Sequence, residues 1–381
     1  MKKSILLLTA AALVLAACAP KQEKSALTAS GLNPESFNST YNGAPTALYT
    51  LTNEAGMEVC ITNFGGRIVS ILVPDRDGKM RDVVLGFDKV EDYFPENNQT
   101  DFGAAIGRYA NRINQGRITL DGETYQLPQN NFGHCLHGGP TGWQYQVYEM
   151  VEADESHLKL KRFSPDGDNN FPGNVTAYVT YTLMEDNRLD IQYEATTDKT
   201  TVINMTNHSY FNLAGNPETH RIVDDVLYVN GSHYTPVDET YMTSGEILPV
   251  TGTPFDYTNA HLISDNITMD NEQIRFGNGF DHNWVLDTGG DISKVAAALY
   301  NIQNGIQLIV RTDEPGIQVY SGNFLDGTVT GKKGVVYQQR TGICLETQHY
   351  PDSPNKPDWP SVVLRPGETY HSHCIFEFST K

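Results

Sequence analysis

The runs VTAYVTYTL (Val175–Leu183) and LDIQYEA (Leu189–Ala195) decide the fold class. Between them they are dense in Val, Ile, Thr and Tyr, residues that suit a pleated surface. The same texture returns in Glu58–Asn63 (EVCITN), Arg67–Val73 (RIVSILV), Leu158–Phe163, Ile306–Thr312 and Ile343–His349. Asp77-Gly78, Asp121-Gly122, Asp166-Gly167 and Asn304-Gly305 stand between such runs as turn signals. Helical periodicity is confined to two short candidates, near Val90–Asn97 and Val295–Ile302, which argues against a parallel α/β architecture. No internal repeat points to a propeller or solenoid. The composition does not break after residue 45, so the sequence predicts a single all-β domain over 37–381, built as a large antiparallel sandwich.

The 381 residues are 39% hydrophobic and 10% aromatic, which supplies a large core and excludes disorder or a collagen-like chain. Lys+Arg number 27 against 46 Asp+Glu, for a net charge of −19. No basic cluster interrupts the acidic chain, so nucleic acid is excluded as a partner.

The first residues report a compartment. Lys2 and Lys3 precede the apolar run Ile5–Leu15 and then Ala16, Ala17 and Cys18. The run falls short of the ~20 residues of a membrane-spanning helix and has the layout of a secretory signal. Leu15-Ala16-Ala17-Cys18 resembles a bacterial lipobox, which implies a signal over 1–17 and a lipid on Cys18. The expected location is the bacterial cell envelope, on the periplasmic side of the outer membrane, with the lipid as the only membrane contact. Residues 18–36 are small and polar and read as a tether. Cys60, Cys135, Cys344 and Cys374 form no CxxC-type pair and read as buried thiols.

Four stretches set polar residues in alternating rows. In TVINMTNHSYFNL (Thr201–Leu213), a period of two places Asn204, Thr206, His208, Tyr210 and Asn212 on one strand face. Neutral amides, hydroxyls, a His and a Tyr are what a sugar-binding surface uses. In GICLETQHY (Gly342–Tyr350), Cys344, Glu346 and Gln348 share a face. A Glu among apolar neighbours is expensive to bury, and desolvation would raise its pKa toward that of a general base. It also reads as a buried ion-pair partner of Arg112. PGIQVYSGN (Pro315–Asn323) carries Gln318 and Tyr320, and FDHNW (Phe280–Trp284) carries Asp281. GRYANRI (Gly107–Ile113) offers Asn111 and Arg112, and NFGHCLHGG (Asn131–Gly139) offers His134 and His137. His134 reads as structural. Asp166, Asp168 and Asn170 alternate faintly like a calcium loop but lack the Gly and distal Glu of an EF-hand, so a solvated turn is the reading and a structural Ca²⁺ the alternative.

Together these motifs resemble the aldose 1-epimerase (galactose mutarotase) family. The resemblance runs from NFGGRIVSILVPDRDGK (Asn63–Lys79) through LGFD (Leu85–Asp88) to LETQHYPDSPN (Leu345–Asn355). It implies a β-supersandwich, with His208 as general acid and Glu346 as general base. Asn111, Arg112, His137, Asp281 and Gln318 fall at the family's sugar-binding positions, and Ser209 and Tyr210 adjoin the acid. The implied reaction opens and recloses an aldohexose such as D-galactose or D-glucose at C1, and the chemistry needs no cofactor and no metal; nothing in the sequence demands assembly, so a monomer is expected. The alternatives are a non-catalytic carbohydrate-binding sandwich, which has no use for an acid and a base, and a hexose-6-phosphate epimerase, which needs several cations. A glycoside hydrolase would use Asp281 and Glu346 as a carboxylate pair.

Overall fold

The computed structural model describes residues 27–381. The run Val175–Leu183 is a strand with those bounds, its residues alternating between buried and half-buried. It sits third in a nine-stranded antiparallel sheet. The order is Glu149–Ala153, His157–Ser164, Val175–Leu183, Arg188–Thr197, Tyr370–Thr380, Ile306–Thr312, Ala297–Tyr300, Val226–Val229, His261–Leu262. A six-stranded sheet is ordered Tyr210–Phe211, Ile343–Gln348, Gly316–Tyr320, Asp281–Val285, His233–Thr235, Leu248–Pro249. A four-stranded sheet holds Leu48–Thr52, Glu58–Thr62, Arg67–Pro74 and Met80–Asp82.

One apolar cluster joins the layers. Val179, Tyr181, Ile191, Leu308 and Phe376 of the large sheet meet Trp284, Ile317, Val319, Ile343 and Leu345 of the six-stranded sheet. Each such side chain contributes about 1.5–3 kcal/mol on burial. Because strand side chains alternate, the residues between these core positions on the six-stranded sheet must face the other way. That outward face carries the polar residues singled out in the sequence.

Several expectations are corrected. Val90–Tyr93 is a 3-10 helix, and the Val295–Ile302 candidate is a strand over Ala297–Tyr300, because a run of Val, Ala and Leu has no period to separate the two states. The two α-helices among the described residues, Ile263–Ile267 and Glu272–Gly277, are too short to show amphipathic periodicity. The row of Thr201–Leu213 is broken into Thr201–Val202, Thr206–His208 and Tyr210–Phe211, which pair with Val363–Leu364, Ala104–Ile106 and Ile343–Cys344. It is therefore not one surface. Asn204 donates to Ala110 O at 3.2 Å and accepts from His349 N at 3.0 Å, and Asn212 donates to Thr341 O at 2.7 Å. Both amides hold backbone rather than ligand.

Of the tether expected over 18–36, residues 29 onward pack on the body. Ala29 N and Ser30 N donate to the Glu58 carboxylate at 2.7 and 2.8 Å, and Leu32 and Phe37 are buried. Leu32, a single apolar anchor in that polar stretch, carries no period, which is why it escapes a sequence reading. Cys18 and the signal segment lie outside the described residues. Cys60, Cys135, Cys344 and Cys374 are free and buried. In the Asp166–Asn170 turn, Asp166 accepts from Gly173 N, Asp168 from Ser164 Oγ, and Asn170 donates to Gln126 O.

One glycine is required by close approach. Gly103 has φ +68°, and a Cβ there would stand 1.9 Å from Ile68 O. Left-handed strain and overpacking each cost a few kcal/mol, so Gly103→Ala is expected to lose about 2–5 kcal/mol of stability. An unchanged denaturation midpoint would refute this.

Candidate active site

Register assembles the site. Asp281 pairs with Tyr320, Tyr320 with Cys344 and Cys344 with Tyr210, while Asn283 pairs with Gln318 and Gln318 with Glu346. Directly opposed residues share a face, so these rows form one polar surface. His208 arrives from a separate ladder, opposite Ala104, two residues before Tyr210. The two loop motifs complete the rim by holding each other. Asn111 N donates to His137 Nδ1 at 3.1 Å, and His137 N donates to Asn111 O at 3.2 Å. Arg112 Nε donates to Asn131 Oδ1 at 3.0 Å, and its guanidinium lies 5.0 Å from the Tyr241 ring centre.

These elements enclose a cavity of about 390 Å³. Asn111, Arg112, His137, His208, Tyr210, Asp281 and Glu346, all anticipated from sequence, line it. Gln318 sits beneath, donating from Nε2 to Asp281 Oδ1 at 2.7 Å, and so orients that carboxylate. Ser209 does not join them: between His208 and Tyr210 in an extended segment, its side chain turns away and its Oγ is buried without a partner. His134 is structural, accepting from Gln115 N at 3.0 Å and meeting Thr240 Oγ1 at 2.9 Å. Asp101, Asn131 and Phe324 also line the cavity and were not read from sequence. Asp101 lies in the polar stretch Glu96–Asp101, where no periodicity or motif marks it.

At the cavity floor His208 Nε2 stands 3.5 Å from Glu346 Oε1, with the two side chains 6% and 2% exposed. Arg112 makes no ion pair with Glu346 among the described residues. Burial holds the Glu346 carboxyl well above its ordinary range, with Asp281 and Asp101 adding to the effect and Arg112 opposing it. Burial lowers the His208 imidazole, opposed by the Asp101 and Asp281 carboxylates.

Tautomers follow from partners. His137 is pushed well below its usual value by burial, by His208 and by Arg112. Neutral, with Nδ1 accepting from Asn111, it presents Nε2–H. Cys344 Sγ lies 3.5 Å from His208 Nδ1, and burial raises that thiol well above its usual range, so it stays an S–H donor. In the neutral ring Nδ1 accepts from that thiol and the Nε2 hydrogen faces Glu346; in the imidazolium the Cys344 sulfur accepts from Nδ1–H instead. The arrangement can take a proton at one oxygen while giving one at a neighbouring oxygen.

A family model described as aldose 1-epimerase matches residues 47–377. The galactose mutarotase of Rattus norvegicus is 42% identical over 323 residues, covering 85% of this chain and 91% of that protein. The aldose 1-epimerase of Escherichia coli K12 is 40% identical over 339 residues, covering 88% of this chain and 96% of that protein. Among solved structures, a GalM/aldose epimerase homologue from C. elegans superposes with a TM-score of 0.81 at 30% identity, over 88% of this chain and 99% of that one. Galactose 1-epimerase from Lactobacillus acidophilus gives 0.78 at 31% identity, over 90% and 97%.

Proposed function

The chain belongs to the aldose 1-epimerase family, and on that premise we propose that it interconverts the α and β anomers of D-galactose and D-glucose, with Glu346 as base and His208 as acid. The Glu346 carboxylate removes the proton of the C1 hydroxyl while the His208 imidazolium protonates the ring oxygen O5. The C1–O5 bond breaks and an open-chain aldehyde forms. Rotation about C1–C2 presents the other carbonyl face to the C5 hydroxyl. The two groups then exchange roles, His208 taking the C5 hydroxyl proton and Glu346 returning one to O1. Atoms and charge balance, and nothing is oxidised or reduced.

The observation that carries this reading is the 3.5 Å approach of His208 Nε2 to Glu346 Oε1 on the floor of an open polar cavity. O1 and O5 hang on the same carbon, so two groups that almost touch can serve both. Each proton transfer is worth about 10²–10⁴-fold in rate. Asp281, held by Gln318, accepts from a sugar hydroxyl, and Arg112 and His137 donate, so the pyranose stays seated while C1 turns over. Polarimetry on freshly dissolved α-D-galactose and α-D-glucose tests the activity, and optical rotation relaxing no faster than in buffer would refute it.

Arg112 is the single Lys or Arg among the described residues that line the cavity, which favours free hexoses over their phosphates. Arg112→Ala is expected to raise KM about tenfold with a smaller fall in kcat, because it removes binding common to ground and transition states. An unchanged KM would remove Arg112 from sugar binding.

The location in the cell envelope rests on residues 2–18: two lysines, an apolar run and a small-residue approach to Cys18. Metabolic labelling with a fatty acid is expected to mark the protein and to leave Cys18→Ser unmarked.

A further inference from the structure

Two carboxylates that line the cavity, Asp101 and Asp326, are used neither by the proton transfers nor by the sugar contacts above, and Asp326 already accepts from Thr328 N and Oγ1. Asp101 Oδ1 is buried without a hydrogen-bond partner among the described residues. An ionisable oxygen in that condition is costly unless a polar group completes it, and here the open side of the oxygen is the cavity.

The surrounding structure holds Asp101 in place from both sides. The fully buried Arg67 donates from Nη1 to Phe102 O at 2.9 Å and from Nη2 to Thr100 O at 3.0 Å, clamping the peptides that flank it. Gly103 N donates to His208 O at 3.0 Å, and Ala104 N to Asp101 O at 3.1 Å. Asp101 is therefore registered directly against the strand that carries His208. Polar atoms of Asp101, His137 and His208 lie within 4.8 Å of one another, yet Asp101 forms no ion pair with either imidazole. The gap suits a hydroxyl. Its oxygen can accept from His137 Nε2–H while its hydrogen is donated to Asp101.

We propose that Asp101 is a further catalytic residue of this pocket: its carboxylate accepts a pyranose hydroxyl shared with His137 and faces the positive charge that His208 carries as acid. The proposal rests on the reading of His208 and Glu346 as acid and base, and its test separates the two.

Asp101→Asn keeps the side-chain size and removes the charge. Loss of a charge-assisted hydrogen bond is expected to lower kcat/KM about 10–100-fold, with KM raised. The pH profile adds a second readout. The Asp101 charge raises the proton affinity of both His208 and Glu346. Activity needs protonated His208, lost as pH rises, and ionised Glu346, lost as pH falls. Removing the charge lowers both values, so both limbs of the profile move to lower pH. The other charged groups facing His208 are Asp281, which raises it, and Arg67, which lowers it. Glu346, Cys344, His137 and the Tyr210 and Tyr320 rings also surround it. All of these remain in the variant and leave the direction unchanged.

Asp101→Glu restores the charge and is expected to return both limbs toward their original positions while KM stays raised. A merely structural role would lower activity with the limbs unmoved. Wild-type KM and unmoved limbs in Asp101→Asn, with Glu346→Gln inactive, would overturn this proposal alone. A fully active Glu346→Gln would instead remove the acid–base reading. Should Asp101→Asn fail to fold by circular dichroism, Asp101→Glu decides: a raised KM supports the proposal and a wild-type KM overturns it.

Discussion

Glu346→Gln is expected to lower kcat by about 10²–10⁴-fold and to leave the fold intact. The amide has the same shape and enters the same row opposite Gln318. What disappears is the ability to accept a proton from O1. Glu346 Oε2 has no hydrogen-bond partner among the described residues, so replacing that oxygen by an amide nitrogen breaks no contact with them. The variant also relieves the burial of an ionisable group, so its thermal midpoint should equal or exceed that of the parent. Polarimetric progress curves check the first expectation and a melting curve the second. A variant within threefold of the parent rate would end the assignment of Glu346 as base.

His208→Asn should cost a comparable factor in kcat for the complementary reason: the proton delivered to O5 has no other donor so placed. The expected stability loss is small but not zero. The ring packs against Tyr210 at 5.1 Å and His137 at 5.3 Å, and the smaller amide leaves part of that space unfilled. The double variant distinguishes a shared mechanism from two independent defects. Two halves of one proton exchange lose little more together than either alone. Multiplicative losses in the double variant would mean that the two residues act in separate steps, against the proposed exchange.

Period-two alternation marked the face of Gly342–Tyr350 correctly. Cys344 and Glu346 do share a surface, and Cys344 meets the acid there. The same rule misled over Thr201–Leu213, because alternation is a statement about one unbroken strand. That segment takes three strand partners in succession, and only His208 and Tyr210 of its polar row reach the cavity. Ser209 fell on the wrong side by the very parity that places its neighbours. Asp101 carries no local signature at all. Its position is set by Arg67, Gly103 and the strand of His208, none of which is legible from the residues adjoining it.

The chain's own order of residues was sufficient for an all-β body, for the strand Val175–Leu183, and for the chemistry of seven of the groups that line the cavity. The strands are local properties, since they depend on residue type and on a period of two, whereas Asn111, Arg112, His137 and Asp281 were marked as site residues only by the motifs that resemble the family's. Which strands stand side by side depends on contacts between residues far apart, such as Gln318 with Glu346 and Asp281 with Tyr320. Folding alone settled that His208 and Glu346 meet at 3.5 Å, that Gln318 supports rather than lines, and that Asp101 belongs to the site. The physical reason is that register between distant strands is chosen by the packing of the whole apolar core, which no single stretch of sequence contains.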